Sequence, residues 1–431
     1  MLNISKNCFN NDENFLKKLT GPVFFNFLGS LLGVISTVII SRNFGAEKLG
    51  IISLSLKTIA ILTTIALLGY RQQIIKNIAI FHNENKSKIA SDFLSNAKYL
   101  SGFSSLIIVL ITIIILNFFT INKIGENQFI LFFQIFVFSL LFIVQRKLNT
   151  FILISLNYIK KSVLYEGFFN TFFVCFFLIM LILIDIKVDI YILAIVYLFS
   201  RFLNYVLSYF EFRKNKFLTT NFHLNINAIL KGKIFYLNSI VNVLIINADI
   251  VILGILIDFN QVAIYAVCSR IAKILNLLNY VFVSSISPHL ATLYFDSKIS
   301  ELKTLIFKYL PFSLLIAILY FVIVSFFSKE ILGLWGKDFS EFSIVLVIMM
   351  SATCINFTFS PYSSFLTMTG YEKLELKINY TAAVLYISFI IVLTLRFGII
   401  GSSVAFLLKH IIIDLSKVFY SRKLINNHHG N

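Results

Sequence analysis

The sequence predicts an all-α polytopic membrane protein of about twelve transmembrane helices, divided into two halves of six. Hydrophobic residues make up 58% of the 431-residue chain and mean hydropathy is +0.88. Soluble domains hold about 45–50% apolar residues even with glycine counted. The apolar residues also come in long unbroken stretches. A helix rises about 1.5 Å per residue, so a hydrocarbon core of about 30 Å takes about 20 of them. Finally, the polar remainder is short everywhere, which leaves no soluble domain of useful size on either face.

The elements follow in order. A polar segment, 1–19, lacks a small-residue cleavage site and reads as a cytoplasmic leader rather than a signal peptide. Pro22 then opens the first span, 20–41, at a position where a missing N–H costs nothing. Spans at 49–70, 96–119, 128–149, 162–184 and 189–210 complete an N-terminal lobe, 20–210. The polar stretch 71–95 separates the second from the third. A basic linker, 211–233, divides the chain. The C-terminal lobe, 234–420, holds spans at 234–257, 260–287, 304–327, 342–366, 375–395 and 398–420, and a tail, 421–431, closes the sequence. Pro288, Pro311 and Pro361 lie in or beside later spans, where each frees a carbonyl and permits a kink. Gly29, Gly33, Gly254, Gly398 and Gly401 permit close helix packing.

The net charge of +17 would suit nucleic acid in a soluble protein, but here the positive-inside rule accounts for it. With the N-terminus inside, the outer loops hold only Arg42, Lys48, Lys123, Lys187, Lys329, Lys337 and Arg396 of the 37 basic residues. Most of the others fall on the opposite side, so both termini are expected to be cytoplasmic. The four cysteines, Cys8, Cys175, Cys268 and Cys354, are scattered and show no metal-ligand or disulfide spacing. No metal, cofactor or catalytic residue is expected, and no nucleic-acid partner.

Five cations are placed at membrane depth: Lys57, Arg201, Arg270, Lys273 and Lys409. A charge near the bilayer centre costs about 2.5–3.5 kcal/mol on insertion scales, so such residues face a cavity or a partner. Arg270 and Lys273 are three apart and share a helix face. Aligning 49–62 with 262–275 sets Lys57 opposite Arg270, and aligning the sixth span with the twelfth sets Arg201 opposite Lys409. The halves therefore read as parallel repeats whose cations converge on one central cavity. Acids at depth are few, namely Asp249 and Asp414, with Glu166 near a helix end. Asp249 is a candidate for ion coupling or, more plainly, a structural partner for Arg270 or Lys273. His289 and His410 read as structural. A basic cavity suits an anion, phosphate or pyrophosphate above all, since Arg binds it bidentately and Lys as a point charge.

Three runs resemble a known family. The segment 42–72, RNFGAEKLGIISLSLKTIAILTTIALLGYRQ, is similar to the first inter-helix region of the polysaccharide-transporter branch of the multidrug/oligosaccharidyl-lipid/polysaccharide exporter superfamily, with Gly45, Gly50 and Gly69 as its glycines. Leu49 stands where that family usually has an aromatic, and the Leu68–Arg71 end lacks the acid often seen there. The segment 247–294 resembles the family's Asp-containing seventh helix and its eighth helix. The segment 396–411, RFGIIGSSVAFLLKHI, resembles the opening of its last helix. This resemblance implies a V-shaped exporter fold of two six-helix lobes that alternates between inward- and outward-open states.

Within the branch the chain looks most like the Wzx-type flippases. The resemblance then implies no enzyme but a flippase of the bacterial inner membrane, for O-antigen or capsular polysaccharide assembly. It would move an oligosaccharide repeat unit on undecaprenyl pyrophosphate across the membrane by alternating access. Partners would be that lipid-linked oligosaccharide, membrane lipids, and candidate polymerase and chain-length-regulator proteins. The alternatives are an exporter of another polysaccharide or anionic lipid precursor, a multidrug antiporter, or a membrane polysaccharide polymerase. Cations at depth weigh against an antiporter of cationic drugs. Outer loops of about 3–14 residues are too short for the catalytic loop expected of a polymerase.

Overall fold

The computed structural model describes residues 12–83, 87–121, 128–185, 188–214 and 233–427, and everything there is helix or short connection. Most of the leader 1–19 and of the linker 211–233, and the end of the tail 421–431, lie outside the described residues. Ten helices among the described residues are long and apolar enough to cross a membrane, and the pair Gln128–Phe136 and Ser139–Ser155, bent by 46°, forms a broken eleventh span.

The last helix, Glu372–Asn427, supplies one more. Its 56 residues would reach about 84 Å if straight, nearly three bilayer cores. It is not straight: Gly398 sits at φ 57°, ψ −139°, a conformation only glycine adopts without strain. The hydroxyls of Thr394 and Ser402 lie 2.9 Å apart, where eight residues of continuous helix would separate them by about 12 Å. A β-carbon at Gly401 would overlap the Leu393 carbonyl. The chain therefore folds back at Gly398 into two antiparallel helices, and Tyr386, Ile390 and Ala405 form the core between them. At the far end Lys417 Nζ meets Glu375 Oε1 at 2.9 Å.

The contacts divide the chain into two compact units, 1–39 with 59–240, and 40–58 with 241–431. The divisions fall inside helices Asp12–Phe44, Ala46–Ala66 and Lys233–Leu256.

In the first unit, helix Ser139–Ser155 is the hub. It packs on Ile190–Lys214, Tyr70–Asn83 and Ser87–Ile121. Phe132 and Phe136 meet Tyr197 edge-on at 6.2 and 5.9 Å, a favoured aromatic geometry. In the polar stretch 71–95 the described residues, 71–83 and 87–95, are helical. Leu68 and Gly69, at φ 50° and 77°, end one helix, and Tyr70–Asn83 starts another at once. Ile74 and Ile78, one turn apart, are fully buried and fix its inner face. Ser87–Ile121 then begins nine residues before the span placed at 96–119.

In the second unit the hub is Ser343–Met368, against which Leu275–Phe295, Ile299–Phe326 and the final hairpin pack. Leu290, Leu302, Phe365 and Leu366 form its fully buried centre. Small hydroxyls join the helices: Ser287 to Ser364 at 2.5 Å, and Ser421 to the Tyr362 carbonyl at 3.2 Å. In lipid such bonds matter because water offers no competing partner. Residues 40–58 belong here for visible reasons. Ser41 donates to Trp335 O at 2.7 Å, and Arg42 donates to Leu334 O and Gly333 O at 2.7 and 2.8 Å. The arginine thereby satisfies carbonyls at the end of helix Ser328–Gly333. A β-carbon at Gly50 would overlap the Phe259 carbonyl oxygen, which explains one glycine of the 42–72 motif as a close backbone crossing.

Candidate cationic site

Four of the five cations expected at depth, Lys57, Arg270, Lys273 and Lys409, belong to the second unit. Arg201 belongs to the first.

Five helical segments supply the residues of this site in the second unit. Lys57 comes from Ala46–Ala66. Asp249 and Asn247 come from Lys233–Leu256. Tyr265 and Arg270 come from Phe259–Ala272. Tyr386 and Lys409 come from the two arms of the hairpin. Lys273 stands at the C-terminal end of Phe259–Ala272, where the helix dipole favours a cation. That helix is N-capped by Asp258, whose carboxylate accepts from Gln261 N at 2.9 Å.

Asp249 is 1% exposed. Its Oδ1 accepts from Ile250 N at 2.8 Å, and its Oδ2 accepts from the Tyr265 hydroxyl at 3.4 Å. The buried Tyr386 hydroxyl lies beside Tyr265 and Asp249. Lys57 Nζ donates to Asn247 Oδ1 at 3.1 Å and lies within the electrostatic reach of Lys273, Asp249 and Arg270. Lys409, 5% exposed, lies within the reach of Asp249, Lys273 and Asp414. Its Nζ rests on two ring faces, 4.2 Å from the centroid of Phe406 and 4.6 Å from that of Tyr386. Lys273 shares the Phe406 ring at 5.5 Å. Cation–π contact holds an ammonium in place while leaving N–H bonds for another acceptor. Arg270 is exposed.

The second acid is already committed. Asp414 accepts from Asn356 Nδ2 at 3.1 and 3.3 Å, and His410 Nδ1 stands 3.7 Å away. Asp249 is therefore the carboxylate set among the cations. Lys57, Lys409, Lys273 and Arg270 lie within reach of one another in a chain and outnumber Asp249, and in a low-dielectric setting that positive excess favours an incoming anion.

In the first unit Arg201, 7% exposed, spends its Nη1 on Asn170, donating to the main-chain carbonyl at 2.9 Å and to the side-chain Oδ1. Asn170 lies on the next helix, Phe169–Leu183. Within its unit Arg201 is near Arg146 rather than any of the other four predicted residues. Arg146 and Lys147 sit in the last turns of the span 128–149, where a basic pair reads from sequence as part of the following loop. Arg146 is 4% exposed, so an adjacent basic pair inside an apolar helix was the signal available.

Residues 16–294 match the polysaccharide biosynthesis protein family. A curated relative, the probable low-salt glycan biosynthesis flippase Agl15 of Haloferax volcanii, is 25% identical over 158 residues, which cover 36% of this chain and 34% of the relative. The chain thus matches about a third of that relative's length. Among solved structures, a multidrug resistance MATE family transporter of the MOP superfamily superposes with a TM-score of 0.77 at 13% identity, covering 96% of this chain and 98% of the other. A MOP superfamily transporter from Pyrococcus furiosus, described by a reversed polarity of its binding pocket, gives 0.63 at 13% identity over 96% and 95%. These two establish the fold alone, and the family match spans more than half of the sequence. This chain is a multi-pass membrane protein with the MOP exporter fold, and it belongs to the polysaccharide biosynthesis protein family.

Proposed function

We propose that this protein is a flippase that moves an undecaprenyl-pyrophosphate-linked oligosaccharide repeat unit across a bacterial inner membrane, with both termini cytoplasmic, for O-antigen or capsule assembly. One observation carries the reading. In a membrane-embedded unit, Lys57 and Lys409 both lie within electrostatic reach of Asp249 and Lys273, Arg270 lies within reach of Lys57, and Lys409 is seated on two ring faces.

The barrier to flipping is desolvation of the charged head group. Fixed cations replace the water around the phosphates, while the polyprenyl tail stays in lipid. Arg270 presents a planar fork to the phosphate oxygens, and the three lysines act as point charges. Asp249 holds the cations together before the substrate arrives, and the pyrophosphate then competes with it for them. Alternating exposure of this site to the two membrane faces completes transport. The match to a glycan biosynthesis flippase and the family match support this direction.

The test is the fate of the lipid-linked repeat unit in cells lacking the protein. Accumulation on the cytoplasmic leaflet, rescued by the intact gene but not by Lys409→Met, is the expected result. Rescue by Lys409→Met removes the site assignment and keeps the flippase. Normal surface polysaccharide, in a strain with no second flippase, overturns the reading and moves the assignment to export of another anionic lipid precursor.

A further inference from the structure

We propose a second anion site, for a phosphate or pyrophosphate group, wholly within the first unit and formed by Arg146, Lys147, Arg201 and Arg71 beside the π-helical turn Leu164–Phe168. It deepens the flippase reading, on which it rests for the identity of the natural ligand.

The argument begins with Arg146. Its guanidinium is buried, and its Nη1 donates to the Tyr165 carbonyl at 2.9 Å. Its Nε–H, also buried, meets no acceptor among the described residues. A buried charge with an idle donor is among the costliest arrangements in a fold unless an anion completes it. The neighbours raise the cost. Arg201 lies within electrostatic reach of Arg146, and Lys147 within reach of Arg146 and Arg71. The one acid acting on Arg146 and Lys147 is Glu166. Four cations against one carboxylate leave room for an anion of more than one charge. Chloride or a single carboxylate would not balance them, whereas a phosphate or pyrophosphate would.

The backbone is prepared for it as well. Glu166 sits in the π-helical turn, a rare element that recurs at functional sites. The turn's Tyr165 carbonyl accepts from both Arg146 Nη1 and Asn204 Nδ2 at 2.9 Å, which fixes the guanidinium with its Nε edge unused. Access is graded: Arg146 and Arg201 are buried, Lys147 is half-buried, and Arg71 and Glu166 are exposed. Glu166 is then a competing counter-ion that the arriving phosphate displaces. On the proposed orientation the rim faces the cytoplasm, where a lipid-linked substrate is first met.

The test is equilibrium binding of radiolabelled inorganic pyrophosphate to the full chain in nanodiscs of neutral lipid, repeated with undecaprenyl pyrophosphate in the disc. Two sites per chain are expected. Lys147→Met should weaken one by about tenfold, the loss of one charge-assisted contact. Glu166→Gln should tighten that same site, an increase that a merely structural carboxylate would not give. The Lys147 ammonium makes no hydrogen bond among the described residues, and its one side-chain partner, Thr150 Oγ1, donates to the Lys147 main-chain carbonyl, which the variant keeps, so Lys147→Met keeps the fold where Arg146→Gln endangers it. Lys409→Met should abolish only the other site. A single site, lost in Lys409→Met and indifferent to Lys147→Met and Glu166→Gln, overturns this inference and leaves the proposed function standing. No binding of either probe overturns both. Binding of inorganic pyrophosphate that the lipid-linked form does not displace keeps the anion site and assigns it to a free phosphate.

Discussion

The two units treat buried cations in opposite ways. In the first unit the arginines are tied to oxygen: Arg201 to Asn170 twice, and Arg146 to the Tyr165 carbonyl. In the second, the Lys409 ammonium rests on two ring faces within reach of Asp249, and Lys57 donates to one amide oxygen. Directional bonds fix a guanidinium in one geometry, and breaking them costs the fold. A ring face holds an ammonium without orienting its protons, so the charge stays available at little structural cost. The first arrangement ties the charge into the architecture, whereas the second leaves it available.

That contrast can be broken most severely at Asp249. Asp249→Asn leaves Lys57 and Lys409 without their shared counter-charge, and breaking a buried charge set costs about 3–5 kcal/mol. A thermal unfolding midpoint far below that of the native protein in the same detergent is expected, and an unchanged midpoint would show that the cations do not depend on this acid. Next comes Arg201→Met, which strips the Asn170 oxygens of their charged donor. A loss of about 1.5–3 kcal/mol is expected, read in the same assay. The smallest stability effect belongs to Lys409→Met. It gives up a cation–π contact of roughly 0.5–2 kcal/mol and removes a charge whose insertion costs about 2.5–3.5 kcal/mol. Its midpoint should stay level or rise slightly while flipping is lost. A sharp fall instead would put Lys409 in the same class as Arg201.

Much of this was legible in the sequence because lipid is a simple solvent. Twenty apolar residues mark a span whatever surrounds them, so the helices and their order could be placed. The cations could also be named one by one, since a charge at depth stands out against isoleucine and phenylalanine. Their grouping was another matter. Lys57 belongs by sequence to the second span, and it takes the close crossing at Gly50 and the bonds of Ser41 and Arg42 to 333–335 to show that residues 40–58 pack with the C-terminal helices. Arg146 was hidden by its position, because a basic residue in the last turn of a span reads as loop until its burial is seen. The 71–83 helix was masked by Arg71, Gln72 and Gln73, although Ile74 and Ile78 carried the signal at one-turn spacing.

The fold-back at Gly398 bears on how the protein is made. Two spans joined by a single residue leave no slack for one to enter the bilayer while the other waits outside it. They must be handed to the membrane as a helical pin, tip first, with Glu375 and Lys417 trailing at the open end as a matched pair. Mutual neutralisation of those two charges lowers the cost of drawing the base of the pin toward the lipid. Closing the pin therefore brings the Tyr386 ring and the Lys409 ammonium together, so that this contact forms with the hairpin itself.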